Sequence, residues 1–537
     1  MFTLSDSQRF SLTILALSLT SLTASLSVTS LSNALPVITN ELKGTDIEAF
    51  WAGTAYVLCS AVFQPPFAIF SHIFGRKPLF VIAFLFFLSG SAIATAAKNF
   101  RILLAARAIQ GTGGGGLITL SEILTADLTP LRERGKWIGL LSMMWAVGSV
   151  AGPIVGGALA HERIWRWLFA LNLPLASASL AVICVSVKPR IQHSDFRQAL
   201  SRVDWPGFGI FIPSMTSFLI PVTWGGETFP WYNWHTLVLL SLGVFGLSLF
   251  TVYETWIAHE PFLLRSIFHE WNTKVIYSQT FFHGLLVWSL LYYLPLYYQG
   301  VKGFSPLVSG IAVLPETCTI SAAAGVVGLL ITTTGRYRWA LWTGWLVTTT
   351  GLGLLYLLDF DCPTYRWVII NLTVGLGMGS LFTSTNLAIQ ANIPINDLSF
   401  ALGFFAFFRT LGQSVGIAVG GTVFHNMFER NLPADSSILA LTQGHGIDAA
   451  PLIEVLNGIP DQDPRKHKII HAYVEALRIL WLVLCGCSAL GLLASFFTKA
   501  YSLGPGHNRG HRTEADDYED PETANVTLET RKGNQNT

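Results

Sequence analysis

The chain reads as an all-α integral membrane protein of about fourteen transmembrane helices, and three observations carry that reading. Charged residues make up 12% of the 537 residues and hydrophobic ones 51%, with a mean hydropathy of +0.49. A soluble globular chain holds about 25% charged residues. Apolar runs long enough to cross a hydrocarbon core, which takes roughly 20 residues, recur along most of the sequence. The turns between them are short, and Ser71-His-Ile-Phe-Gly-Arg-Lys-Pro78 joins two runs as an antiparallel pair.

The runs lie at about 10–38, 50–71, 79–97, 102–126, 137–160, 165–187, 205–224, 236–257, 276–299, 307–332, 339–358, 367–389, 401–426 and 474–497. Backbone N–H and C=O groups cannot stay unpaired in lipid, so each run is expected to be a helix. An even number puts both termini on one side, and the basic residues say which. With the N-terminus inside, the cytoplasmic loops hold Arg76 and Lys77; Arg132, Arg134 and Lys136; Lys188, Arg190, Arg197 and Arg202; Arg265 and Lys274; Arg336 and Arg338. The short external loops hold about half as many, chiefly Lys43, Lys98, Arg101, Arg163, Lys302 and Arg366. Both ends are therefore expected in the cytoplasm.

A long external loop is expected at about 427–473, and from about Tyr501 a polar tail at 501–537 is expected to be disordered. No cleavage pattern marks the first run as a removable leader. The net charge of +1 gives no reason to expect nucleic acid as a partner. The six cysteines are scattered and form neither a disulfide framework nor a zinc pattern. No metal or cofactor is expected. No His-x-x-x-His box, diphosphate motif or nucleophile elbow stands near a membrane face, which disfavours an enzyme. No Gly-x-x-x-x-Gly-Lys-Ser/Thr loop is present to cradle ATP, which disfavours a primary pump.

Several spans carry chemistry. The fourth reads Arg107-Ala-Ile-Gln110-Gly111-Thr-Gly113-Gly114. Arg107, Gln110, Gly111 and Gly114 fall at i, i+3, i+4 and i+7, on one helix face. An arginine at membrane depth needs a bundle interior, a cavity or a partner. Packing glycines with a snorkelling arginine are the plainer alternative. Glu122, about three turns after Gly111, returns near that face as a lone acid. The fifth span holds Gly148-Ser-Val-Ala-Gly152-Pro153-Ile-Val-Gly156-Gly157, where small residues every four positions permit intimate helix contact. Glu316 is an intramembrane carboxylate and a functional-site hypothesis on that ground. His283 is the other protonatable group, with a satisfied interior histidine as the plainer reading. Gln64, Gln110, Asn172, Tyr292, Asn386 and Gln413 are the candidates for a substrate cavity.

Together these strings resemble the major facilitator superfamily. Gly75-Arg76-Lys77 is similar to the end of its signature loop, and Arg107-x-x-Gln110-Gly111-x-Gly113 to its fourth-helix motif, whose arginine is linked to proton coupling. Gly148 to Gly157 resembles the antiporter motif of exporters. Trp165-Arg-Trp-Leu-Phe-Ala-Leu-Asn172-Leu-Pro174 is similar to a string of fungal and bacterial drug:proton antiporters of fourteen spans, and Arg409-Thr-Leu-Gly-Gln413 resembles their thirteenth helix.

The resemblance implies a six-helix half at 1–187, two linking helices at 188–274 and a second six-helix half at 275–500. It also implies a proton gradient as driving force and small-molecule substrates, with Arg107, Asp127 and Arg76 as coupling or gating candidates; Glu122, Glu316, His283 and His72 join them as candidates on their own position and chemistry. The implied protein is a monomeric exporter of amphipathic molecules in the plasma membrane, its cargo a fungal secondary metabolite or toxin. A general drug or siderophore carrier, or a sensor that no longer transports, stands as the alternative.

Two departures bear on mechanism. The loop motif's aspartate is His72 here, and the first-span D-x-T is Ser27-Val-Thr29. Asp127 remains to pair with Arg76 or Arg134 as a gate. His72 in place of the acid makes a pH-sensitive gate an expectation.

Overall fold

A computed structural model describes residues 5–432, apart from 163, 189–195, 226–228, 259–260 and 263, together with 456, 459–460, 463–501 and 503. Arg163, Arg190, most of the 427–473 loop and nearly all of the 501–537 tail lie outside the described residues, and so does the side chain of Arg265.

The helices in order are α1 (Asp6–Thr29), α2 (Leu31–Leu42), α3 (Asp46–Phe74), α4 (Arg76–Thr95), α5 (Phe100–Leu128), α6 (Arg134–His161), α7 (Trp167–Ala170), α8 (Asn172–Ser186) and α9 (Phe196–Ser201). They continue with α10 (Trp205–Trp224), α11 (Trp234–Trp256), α12 (Arg265–His269), α13 (Trp271–Gly300), α14 (Pro306–Thr334), α15 (Arg338–Leu355), α16 (Thr364–Asn392), α17 (Leu398–Asn431) and α18 (Pro464–Phe496). Among the described residues the only extended pairing is one bridge between Gly225 and Phe229.

Local sequence explains where many of these helices start. Ser5 and Thr45 each close a capping box, with Gln8 and Glu48 as reciprocal partners. Asn99, Asp204, Asn233, Ser305 and Asp463 accept a first-turn N–H in the same way. Gly75, at φ 93°, turns the chain between α3 and α4 in a conformation that a side chain would resist.

Eleven helices among the described residues are long and apolar enough to cross a membrane. That is fewer than the number of apolar runs. α5, α13 and α15, of 29, 30 and 18 residues, fall outside the set. The reason is composition: α5 carries Arg107, Gln110 and four successive glycines, α13 carries Asn272, Gln279 and His283, and α15 carries Arg338 and four threonines. Hydropathy ranks a helix for contact with lipid, whereas these helices turn polar groups toward protein. The opposite extreme is α11, whose span is 17% buried against 72% for the span through α17.

Three boundaries differ from expectation. The first run, 10–38, is two helices that break at Ser30, and the sixth breaks at Leu171. The last helix starts at Pro464, because that proline suits a first turn. Arg465, Lys466 and Lys468 therefore sit on helix, and the connection from Asn431 to Pro464 is shorter than the 427–473 loop.

Helices α1 to α8 pack mainly on one another, with α5 between α3 and α4, and α6 against α1. Helices α13 to α18 do the same, with α16 between α14 and α15. The two groups meet where α6 packs on α14, and α3 and α5 on α17. α10 touches both, through Phe208 on Phe70 (4.6 Å between ring centres) and Phe211 near Phe407 (6.1 Å). α11 rests on α10.

Candidate functional site

Where the two groups meet they enclose a cavity of about 170 Å³, lined from α1, α3, α5, α6, α13, α14, α16 and α17. Its walls are mostly apolar, among them Val28, Leu117, Trp145, Val287, Trp288 and Phe382. The ionisable groups facing it, among the described residues, are Glu122, His283, Glu316 and Arg409, with the phenol of Tyr56.

Glu122 is not the lone acid that the sequence suggests. Its Oε1 accepts from Arg409 Nη1 at 3.3 Å, joining α5 to α17 across the cavity. Phe382 and Phe405 cover the guanidinium at 4.2 and 4.5 Å. Arg409 is the functional residue that sequence reasoning passed over. The signal was present, an arginine inside the apolar run 401–426, but it was absorbed into a family string. Glu316 is 2% exposed and has no hydrogen bond or ion pair among the described residues. His283 Nε2 donates to the carbonyl of Met378 at 3.1 Å, and its Nδ1 has no partner.

On α3, Tyr56, Ser60 and Gln64 stand at i, i+4 and i+8 on the cavity face. Gln64 is 1% exposed, and neither atom of its amide has a hydrogen-bond partner among the described residues. Gln413 also lines the cavity. Gln110, Asn172, Tyr292 and Asn386 do not. Gln110 Nε2 donates to Ser91 at 2.8 Å, Asn172 Nδ2 to the carbonyl of Leu168 at 3.3 Å, and Asn386 Oδ1 accepts from Gln390 at 2.5 Å. Tyr292 is exposed and lies within electrostatic reach of Arg107. Polarity inside a span marks burial, while the helix's rotation decides which neighbour the side chain meets.

Arg107 lies apart from the cavity lining and is wholly buried. Its Nε donates to the carbonyl of Ala52 at 3.0 Å. Its Nη1 reaches Gln110 Oε1 at 2.7 Å and the Ser27 carbonyl at 3.3 Å. The Tyr56 ring covers it at 4.6 Å. No carboxylate is among these partners, and Ser27 stands where the resemblance expects one.

At the end bearing the Arg76-Lys77 turn, polar bonds tie the two groups together. Arg76 Nε pairs with Asp127 at 2.8 Å, Nη1 donates to Ser71 at 2.8 Å and Nη2 to Ser399 of α17 at 2.5 Å. Arg134 does not bond to Asp127. It donates to the carbonyls of Thr129 and Ala126, and to Gln390 of α16 at 3.0 Å, because its place at the start of α6 aims it across the interface. Arg132 Nε donates to the Thr332 carbonyl of α14 at 3.1 Å. His72 is exposed beside Phe400, with ring centres 5.2 Å apart.

The glycine string of α6 faces α1. A methyl on Gly152 would strike the Thr29 hydroxyl, one on Gly156 the Ser30 carbonyl, and one on Gly148 the Leu22 carbonyl. Ser21, Ser25 and Thr29 use the close approach to donate to the carbonyls of Leu141, Trp145 and Gly148 at 2.9, 2.5 and 3.3 Å. Pro153 lies inside this helix and Gly157 follows Gly156, half-buried. Among the described residues no group of His, Cys, Asp and Glu is arranged to hold a metal ion.

Comparison with known proteins agrees with this architecture. The family model described as Major Facilitator Superfamily matches residues 17–417. "MFS transporter L2" of a Phoma species is 42% identical over 495 residues, covering 92% of this chain and 83% of that protein. "Efflux pump FUS6" of Gibberella fujikuroi is 35% identical, covering 92% and 90%. Among solved structures, the proton:xylose symporter XylE superposes with a TM-score of 0.61 at 13% identity, covering 93% of this chain and 98% of that one. The human organic anion transporter MFSD10 gives 0.58 at 14% identity, covering 92% and 100%. The chain is a multi-pass membrane protein and belongs to the Major Facilitator Superfamily.

Proposed function

We propose that the protein is an efflux pump that exports an amphipathic secondary metabolite in exchange for protons. The observation that carries this reading is the mostly apolar cavity between two helix groups, with Glu122, Arg409, Glu316 and His283 on its walls. Relatives named as efflux pumps support the direction of transport, and one is named for the acurin A biosynthesis cluster of Aspergillus aculeatus.

In this reading α5, α13 and α15 cross the membrane with the eleven more apolar helices, which makes fourteen spans. Residues 1–187 and 275–500 form two six-helix halves, and 188–274 links them. The halves rock about the cavity, as in transporters built from repeats. The Arg76–Asp127–Ser399 and Arg134–Gln390 bonds close the cytoplasmic end. Opening inward breaks them; opening outward leaves them in place. Glu316 and His283 exchange protons with the cavity, and protonating Glu122 releases Arg409 from the other half. The protein works as a monomer in the plasma membrane with both termini in the cytoplasm.

Deleting the gene in its producing host tests export. One metabolite is expected to move from medium to cells, and an unchanged distribution overturns the reading. In proteoliposomes, Glu316→Gln is expected to abolish flux driven by a pH gradient while equilibrium exchange continues. Gradient-driven flux that survives the change removes Glu316 from coupling.

A further inference from the structure

A guanidinium carries N–H donors on all three of its nitrogens. Where they tie the helix groups together, Arg76 and Arg134 each donate from all three. Arg409 does not. Its Nη1 donates to Glu122 Oε1 at 3.3 Å, while Nε and Nη2 are buried without a hydrogen-bond partner among the described residues. These two nitrogens share one edge of the planar fork. Such an edge meets a pair of acceptor oxygens with two parallel N–H···O bonds.

The fork is held in place before any ligand arrives. A methyl on Gly284 of α13 would strike the Arg409 carbonyl, so α17 packs closely on α13 at this residue. Phe382 of α16 and Phe405 of α17 lie against the guanidinium at 4.2 and 4.5 Å, and Glu122 of α5 anchors Nη1. A group already fixed loses little freedom when it binds. Buried donors left unmade are costly, so a ligand that brings two acceptors to this edge stabilises the complex. Glu122 balances the guanidinium charge, and the edge therefore suits an uncharged two-oxygen head as well as a carboxylate. Gln64, on α3, differs because its amide offers a donor beside an acceptor.

Resting on the export reading above, we propose that the Nε–Nη2 edge of Arg409 is the polar seat for the cargo. It takes a head with two acceptor oxygens side by side, as in a carboxylate or an uncharged dicarbonyl. The apolar body of the cargo lies among Leu117, Val287 and Trp288.

Equilibrium dialysis of the full-length protein in lipid nanodiscs tests this. Three probes share one naphthylethyl skeleton and end in a carboxylate, a methylsulfonyl group or a hydroxyl. At least one two-oxygen probe is expected to bind about tenfold or more tightly than the alcohol, because a second charge-assisted bond forms. The tighter of the two tells whether the head of the cargo is charged. Arg409→Lys keeps a cation for Glu122 but loses the fork. It is expected to bring both two-oxygen probes within about threefold of the alcohol, whereas Gln64→Leu is expected to keep the preference. Equal binding by all three probes, as when water fills the edge, overturns the proposal. So does tighter binding of the alcohol, no binding by any probe, a preference that survives Arg409→Lys, or one lost in Gln64→Leu. If Arg409→Lys fails to fold, the order in the unaltered protein and in Gln64→Leu decides it. A two-oxygen preference with no metabolite moved by gene deletion keeps this inference and removes export. Metabolite export without that preference does the reverse.

Discussion

Arg107 and Arg409 are both enclosed by helices, at 0% and 8% exposure, and they are accommodated in opposite ways. Arg107 donates to the carbonyls of Ala52 and Ser27 and to Gln110, so α5 is fastened to α1 and α3 within one helix group. Arg409 makes one bond, to Glu122 of the other group, and two stacking contacts. The first site is satisfied by groups that do not titrate. The second hangs on a carboxylate that a proton can neutralise. A buried cation therefore takes its role from where its partners sit, and Tyr56 stands between the two sites, with its ring on Arg107 and its face on the cavity.

The most direct way to break the contrast is to strand Arg409. Glu122→Ala should destabilise the protein by about 3–5 kcal/mol, since an unpaired buried cation remains. Combining Glu122→Gln with Arg409→Met should recover most of that loss in thermal unfolding while export stays absent. If the double variant exports normally, the pair is structural. Next in size, Arg107→Met should cost about 2–3 kcal/mol by leaving three acceptors without a donor. Flux per folded molecule should survive. A stable Arg107→Met that cannot couple to a pH gradient would return Arg107 to the role implied by the fourth-helix motif.

Gly156→Val tests whether the α1–α6 contact is fixed, because a side chain there meets the Ser30 carbonyl. A loss of about 1–3 kcal/mol is expected from overpacking, read as a lower midpoint of thermal unfolding. The smallest effect belongs to the exposed latch. Arg76→Gln should alter stability by only about 0.2–1 kcal/mol. It should nevertheless speed maleimide labelling of a cysteine introduced by Ser399→Cys, since Ser399 loses its partner. His72 lies within electrostatic reach of Arg76, Asp127 and Asp397. Its protonation adds a positive charge beside Arg76, so labelling should quicken as pH falls below about 6.5. His72→Asp should slow labelling and remove that dependence. A pH profile unchanged by His72→Asp ends the idea of a pH-sensitive latch.

Much of this arrangement is legible in the sequence. Apolar runs of spanning length, the Gly75 turn and the glycine string from Gly148 to Gly157 each state a local requirement, and local requirements survive folding. The capping residues Ser5, Thr45, Asn99 and Ser305 are equally local. What was hidden depends on pairing. Glu122 and Arg409 are 287 residues apart, and neither sequence neighbourhood names the other. Gln110 and Gln64 look alike as isolated amides within spans, yet one is tied to Arg107 and Ser91 while the other faces the cavity without a partner.

The sequence by itself therefore determined that the chain is a membrane bundle, roughly where its helices run and which of them approach closely. Those properties follow from side-chain transfer energies and backbone hydrogen bonding, which act over a few residues. Only the tertiary structure decided which buried charges are shared across the cavity and which are retired into carbonyl cages. Rotation of each helix about its axis is set by packing against neighbours distant in sequence, and a rotation of one residue, about 100°, exchanges a cavity wall for a helix contact.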